Sequence, residues 1–236
     1  MTILFNRMGI TNHSVFGRLR AFCRYTSLRS YKKNQQLAFK TMEKNTIPKS
    51  AFNTFFEQHN AFQSCGFSEW VFSPGMLYRD RNSWWKSGAI RPVPHEGIDL
   101  YLFRDKTGQI CRLNGYTMIP VMYDGLLMHI HDDFLGKSLY VKHHISIKGQ
   151  TLHTIYGHVV PEKSSELGDT AREGEIIATV ASPSKKSAVP PHVHITMAWL
   201  PDTLSCKELN WETIGNHDHI TLCNPLDFID TYSFAS

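Results

Sequence analysis

Two alternating runs joined by a turn restrict the fold more than any other stretch of this chain. Residues 138 to 147 place Leu139, Val141, His143, Ile145 and Ile147 on one face, and Lys148-Gly149-Gln150-Thr151 reads as the turn. The return run places Leu152, Thr154, Tyr156 and His158 on a common face. A period of two is a strand signal, not a helical one. The segment is therefore predicted as a β-hairpin, with Tyr156 and His158 facing the same space.

The run from His192 to Leu200 has the same period. His192, His194, Thr196 and Ala198 fall on one side, and Val193, Ile195, Met197 and Trp199 on the other. The second set reads as the core face, so the two histidines are expected to look out of the core. Neutral imidazoles on adjacent same-side positions can serve one metal region as ligand and acid/base partner.

His95-Glu96-Gly97-Ile98-Asp99 also places potential ligands four apart. A helical zinc motif is rejected because Arg91-Pro92-Val93-Pro94 precedes, Gly97 interrupts and Ile98-Asp99-Leu100-Tyr101-Leu102-Phe103 follows, which favours a loop entering a strand. Glu96 is then an ordinary neighbour, not a general base.

Together with Tyr156-Gly157-His158 and Pro191-His192-Val193-His194, this segment resembles the zinc endopeptidases of the lysostaphin and LytM type, which cut peptide bonds in bacterial peptidoglycan. The similarity spans roughly residues 68 to 230, including Gly168-Asp169, Gly174-Glu175 and Asn224-Pro225-Leu226. The resemblance implies that His95, Asp99 and His194 bind Zn2+ and that His158 and His192 assist turnover. Three such ligands leave a fourth position for water, whose pKa zinc lowers towards about 7. Histidine titrates in the range needed for base, proton donor or oxyanion partner, and the division of those roles between His158 and His192 stays open. Tyr156 is a candidate oxyanion or substrate contact, with packing as its alternative. The departures from the family pattern are Ala181 and Ser182 in place of a glycine-rich bend, the longer Ser184-Lys185-Lys186-Ser187 approach, and Ile195-Thr196 in place of an aromatic and acidic pair. These bear on groove shape and substrate choice.

The chain has thirteen histidines, and two further His-x-His pairs compete for attention. His129 and His131 are expected on a solvated strand face, and His217 and His219 in an exposed loop after Gly215-Asn216. His143 is expected to be a hydrogen-bonded core residue.

The expected fold class is mainly β, an antiparallel sheet or sandwich-like peptidase domain with a groove, preceded by a partly helical extension. Residues 1–67 are assigned to a basic arm and connecting segment, with a helix around Ser50 to Phe62, and 68–236 to the peptidase domain. The 236 residues, 42% hydrophobic, suffice for a full core. The first 42 residues hold eight Lys or Arg and no Asp or Glu, so the rest of the chain is net acidic although the whole carries +4. That arm reads as a solvated segment, an envelope-polyanion contact or a targeting stretch. Five cysteines without a Cys-x-x-Cys suggest buried free thiols, neither a disulfide framework nor a thiolate site.

The implied substrate is a peptidoglycan stem or cross-bridge peptide; a nucleic-acid partner is not expected, and oligomeric state is unknown. A non-catalytic peptidoglycan-binding regulator on the same fold is the alternative, as is a zinc peptidase for another peptide. The resemblance implies a cell-envelope or secreted location. No run of eighteen apolar residues suggests a membrane span, and Asn6 and Arg7 break the apolar start, so export by another route or cytoplasmic accumulation before release is expected.

Overall fold

The computed structural model describes residues 47–235, apart from 61, 63, 64, 183–187 and 212. The basic arm lies outside them, as does the Ser184 to Ser187 approach. One helix, α1 (Phe52–His59), precedes β1 (Glu69–Phe72), β2 (Ile98–Leu100), β3 (Leu102–Arg104), β4 (Ile110–Arg112) and β5 (Met118–Pro120). Then come β6 (Gly125–Asp132), β7 (Lys137–Ile147), β8 (Gln150–Pro161), β9 (Thr170–Ala171), β10 (Ile176–Val180), β11 (Val193–Pro201), β12 (Thr221–Cys223) and β13 (Tyr232–Phe234). The protein is mainly β, as expected.

Among the described residues the strands form two sheets. The smaller has the order β13-β1-β3-β4; in the larger, β12-β11-β8-β7-β6-β9 lie side by side, β2 pairs with β11, and β10 pairs with β8 and β5. Pairings are antiparallel except for β1 with β13.

The predicted hairpin is β7–β8, with Leu139 opposite Tyr156 and Val141 opposite Thr154. Its turn is tighter than the four residues expected. Lys148 and Gly149 adopt φ values of 51° and 76°, so two left-handed residues reverse the chain, a geometry that suits the twist of paired strands.

The register slips at the far end of the hairpin. Lys137 pairs with Val159 and Leu139 with Tyr156, which leaves Gly157 and His158 opposite the single residue Ser138. This β-bulge carries His158 at φ 63° and breaks the alternation. Tyr156 and His158 therefore do not share a space as the period of two predicts. Tyr156 is fully buried, and its hydroxyl accepts the Met122 amide at 2.8 Å; the bulge leaves it a packing residue rather than a candidate oxyanion contact.

Strand β11 differs from expectation in a second way: both of its faces are buried. The side bearing His194 continues through Ala198 and Leu200, which cluster with Tyr140 and Ile155 under Leu209, Ile214 and Ile220. The chain after β11 folds back over a face that the sequence pattern leaves open.

Helix α1 docks by Phe52 and Phe56, one turn apart, into an aromatic group with Phe67, Trp70 and Phe103. The compact unit begins at Ile47, so the sequence-drawn boundary at 67/68 falls inside it. Cys206 and Cys223 are buried; Cys65 and Cys111 are half-buried. No helix among the described residues is long and apolar enough to cross a membrane.

His143 is a core residue, its ring nitrogens bonded to the Tyr123 carbonyl (3.0 Å) and Thr154 hydroxyl (2.7 Å). Burial pushes His143 and His153 down to about 4, from an ordinary value near about 6.5. The unfolded chain thus binds protons that the native chain refuses, so stability is fully present above about pH 6.5 and is lost as pH falls towards about 4. Each group contributes roughly 3 kcal/mol to that loss. The thermal midpoint should fall steadily across this window, and His153→Gln should flatten the slope; an unchanged slope in the variant would assign it to other groups.

Candidate metal centre

Strand pairing brings the candidate ligands together. On β2 and β11, Asp99 and His194 are direct cross-strand partners, and His194 also faces Gly157 on β8. His95 reaches the same point from the loop before β2, where its amide bonds the Asp80 carbonyl and its own carbonyl accepts the Arg79 amide. The predicted loop running into a strand is what the chain forms.

Gly97 permits this approach. A Cβ there would lie 2.1 Å from the Ile195 carbonyl oxygen and 2.9 Å from His194 Nε2, so no other residue fits without moving β11.

His95, Asp99 and His194 form a buried group that can hold a metal ion. His95 Nε2 lies 3.0 Å from His194 Nδ1 and 3.2 Å from Asp99 Oδ1, while His194 Nδ1 and Asp99 Oδ1 are 2.8 Å apart. His95 Nδ1 donates to the Leu77 carbonyl at 3.0 Å, which leaves a lone pair on Nε2. With both imidazoles neutral, one proton at most, on His194 Nδ1, lies among three converging acceptors. It satisfies one contact and leaves the others opposed. A cation at the centre satisfies all three, and His194 Nε2–H can then donate to Thr196 Oγ1, 2.8 Å away. The donor set of two imidazoles and one carboxylate suits zinc and keeps a fourth position for water.

The remaining carboxylate oxygen is held from outside. Trp84 Nε1 and Arg91 Nη2 donate to Asp99 Oδ2 at 2.7 and 2.9 Å. Burial would raise the Asp99 carboxyl, but the facing His95 and His194 outweigh it and hold it well below the usual range. Burial pushes His194 down to about 3 and His192 to about 4, which favours neutral imidazoles.

His192 and His158 stand beside this group. His192 Nδ1 donates to the Pro190 carbonyl at 2.9 Å, and its Nε2 lies 3.8 Å from Asp99 Oδ1. The His158 and His192 ring centres are 4.8 Å apart. Both line a cleft of about 100 Å³ with Glu96, Phe134, Trp85 and Trp211. Burial raises the Glu96 carboxyl, so this residue belongs to the cleft wall rather than to an ordinary surface.

The other His-x-His pairs stay outside this cleft. His129 and His131 are half-buried on β6, and His217 and His219 lie in a loop. Neither pair joins a metal-holding group among the described residues.

Sequence reasoning did not assign Trp84, Arg91, Asp133, Thr196 or Trp211 to the site. Thr196 stood out as a departure from a pattern and as a same-face neighbour of His194, not as its hydrogen-bond partner. Trp211 packs edge-on to His194, and its indole sits where a Cβ on Gly157 would come within 2.7 Å. The Gly between Tyr156 and His158 was the available signal.

No protein-family model matches the sequence, and no curated protein matches it. Solved structures do resemble it. The catalytic domain of lysostaphin from Staphylococcus simulans aligns at 16% identity and TM-score 0.39, covering 64% of this chain and 87% of that one. A structure of the SpoIIQ-SpoIIIAH pore-forming complex aligns at 22% and 0.36, covering 58% and 66%. A mutant form of the catalytic domain of EnpA, a prophage-encoded M23 protein from Enterococcus faecalis, aligns at 20% and 0.35, covering 59% and 82%. At these values the functional reading stands on the site's own geometry.

Thr196→Val removes the hydroxyl facing His194 Nε2 while keeping the side-chain shape. The variant should fold and bind zinc about ten- to a hundredfold more weakly, measured by competition with a chromophoric chelator. Unchanged affinity would show that Thr196 does not support the ligand.

Proposed function

We propose that this protein is a zinc-dependent endopeptidase that hydrolyses peptide bonds in peptidoglycan stem or cross-bridge peptides. The observation that carries the reading is the set of three converging acceptors, His95 Nε2, Asp99 Oδ1 and His194 Nδ1, with two further imidazoles at the same cleft. A structural zinc site is closed by four protein ligands, whereas a hydrolytic one keeps a position open. Three ligands beside two histidines fit the second kind.

Bound there, zinc would supply Lewis acidity and a water made nucleophilic near neutral pH. The chain supplies the rest. Asp99 and the two ligand imidazoles would hold the ion, and Arg91 and Trp84 fix Asp99. His192 presents Nε2 to the cleft because Nδ1–H is engaged by Pro190, and His158 presents its ring beside it. Both are placed to take a proton from the attacking water or return one to the leaving amine. Trp85, Phe134 and Trp211 wall the cleft and limit water around a bound peptide.

The peptidoglycan assignment draws on the resemblance of the His95 to Asp99, Tyr156 to His158 and His192 to His194 segments. A fold alone does not establish catalysis, so a non-catalytic regulator on the same fold is the competing reading. The complete donor set and both neighbouring histidines favour hydrolysis.

Purified protein should release new amino termini from sacculi in a zinc-dependent manner. Asp99→Ala should lose both zinc and activity. His158→Ala should retain zinc while turnover falls on the order of a hundredfold or more. A zinc-loaded protein that binds sacculi without cutting them would establish the regulator instead, and cleavage confined to unrelated peptides would sink the cell-wall assignment.

A further inference from the structure

Asp133 follows β6 in a tight turn, and its carboxylate accepts five hydrogen bonds. Oδ1 accepts the amides of Leu135 at 2.8 Å and Gly136 at 2.9 Å, together with His158 Nδ1 at 3.2 Å. Oδ2 accepts the Ser138 hydroxyl at 2.8 Å and the His158 amide at 2.9 Å. The side chain has no solvent exposure. One carboxylate therefore grips His158 twice, by backbone and by ring, at the residue that the bulge holds at φ 63°.

That double grip has a chemical consequence. A carboxylate only accepts, so a ring nitrogen bonded to it carries the proton. His158 is then held as the Nδ1–H tautomer, with the lone pair of Nε2 turned away from Asp133. Phe134 packs edge-on against the ring at 4.6 Å, and His192 lies on its cleft side. Burial would raise the Asp133 carboxyl, but the bonds from His158 outweigh it and keep it anionic.

We propose that Asp133 is the positioning residue of His158, holding its ring and main chain in place and fixing the tautomer that makes Nε2 the working nitrogen. Its effect on turnover rests on the endopeptidase reading; its effect on the tautomer does not. The proton that Nε2 takes from the attacking water is returned from the same atom to the leaving amine, while the Nδ1 proton stays on the ring and is donated to Asp133 throughout. The bond to the His158 amide also holds this left-handed non-glycine residue in place.

Two measurements test this on the full zinc-loaded chain. Side-chain 15N NMR of wild type, with the His158 signal assigned by His158→Gln, should show a protonated Nδ1 and an unprotonated Nε2 in the neutral ring. The reverse tautomer overturns the proposal whether or not the protein cleaves peptidoglycan, and the measurement stands if Asp133 variants do not fold. In kinetics, Asp133→Asn should lower kcat about ten- to a hundredfold, with KM and zinc content nearly unchanged. Adding Asp133→Asn to His158→Ala should cost little more, because the partner through which Asp133 acts is already gone. Equal losses in both backgrounds would reduce Asp133 to a turn residue. Wild type that cleaves no sacculi would overturn the peptidase reading, while the NMR result would still decide the tautomer.

Discussion

The Asp99 carboxylate is the constraint around which the site is built. Its two oxygens have opposite duties: Oδ1 faces the His95 and His194 nitrogens, and Oδ2 is bound by Arg91 and Trp84. A buried carboxylate is costly unless paired and hydrogen-bonded. The long loop before β2 meets that requirement. Arg91 also bonds the Gly75 carbonyl and lies over the Trp85 ring, so the residues that neutralise Asp99 also shape the cleft wall.

The sheet positions the rest through register. Cross-strand pairing of Asp99 with His194, and of His194 with Gly157, sets three adjacent strands in one row. A bulge then adds His158 to that row without displacing Gly157, which must stay small beneath Trp211. A regular β8 would spend alternate positions on the core and leave His158 on the same side as Tyr156. The local irregularity is what separates the packing tyrosine from the cleft histidine, a common use of bulges beside functional sites.

A recurrent feature unites the four histidines of the site. The nitrogen remote from the centre meets Leu77 O, Thr196 Oγ1, Pro190 O or Asp133 Oδ1. Two of these partners are backbone carbonyls, which substitution cannot readily remove. Imidazole orientation is thus tied to the path of the main chain.

The sequence by itself determined much of this. Alternation at 138–158 and 192–200 specified strands, because a period of two has one structural solution. Proline and glycine around His95 excluded the helix, and the motifs singled out His95, Asp99, His158, His192 and His194, which the fold does gather. Only the tertiary structure decided what covers a face and where a strand slips. The chain after β11 buries the side of Ala198 and Leu200, and the bulge moves His158 away from Tyr156. Asp133 and Arg91 were not legible as supports, because their importance lies in contacts across 25 and 8 residues with no shared local period; Thr196 shares a strand face with His194, but which ring nitrogen its hydroxyl meets depends on how the ligand cluster packs. Local pattern encodes which way a side chain points; its partner is set by packing, which a single chain's periodicity does not contain.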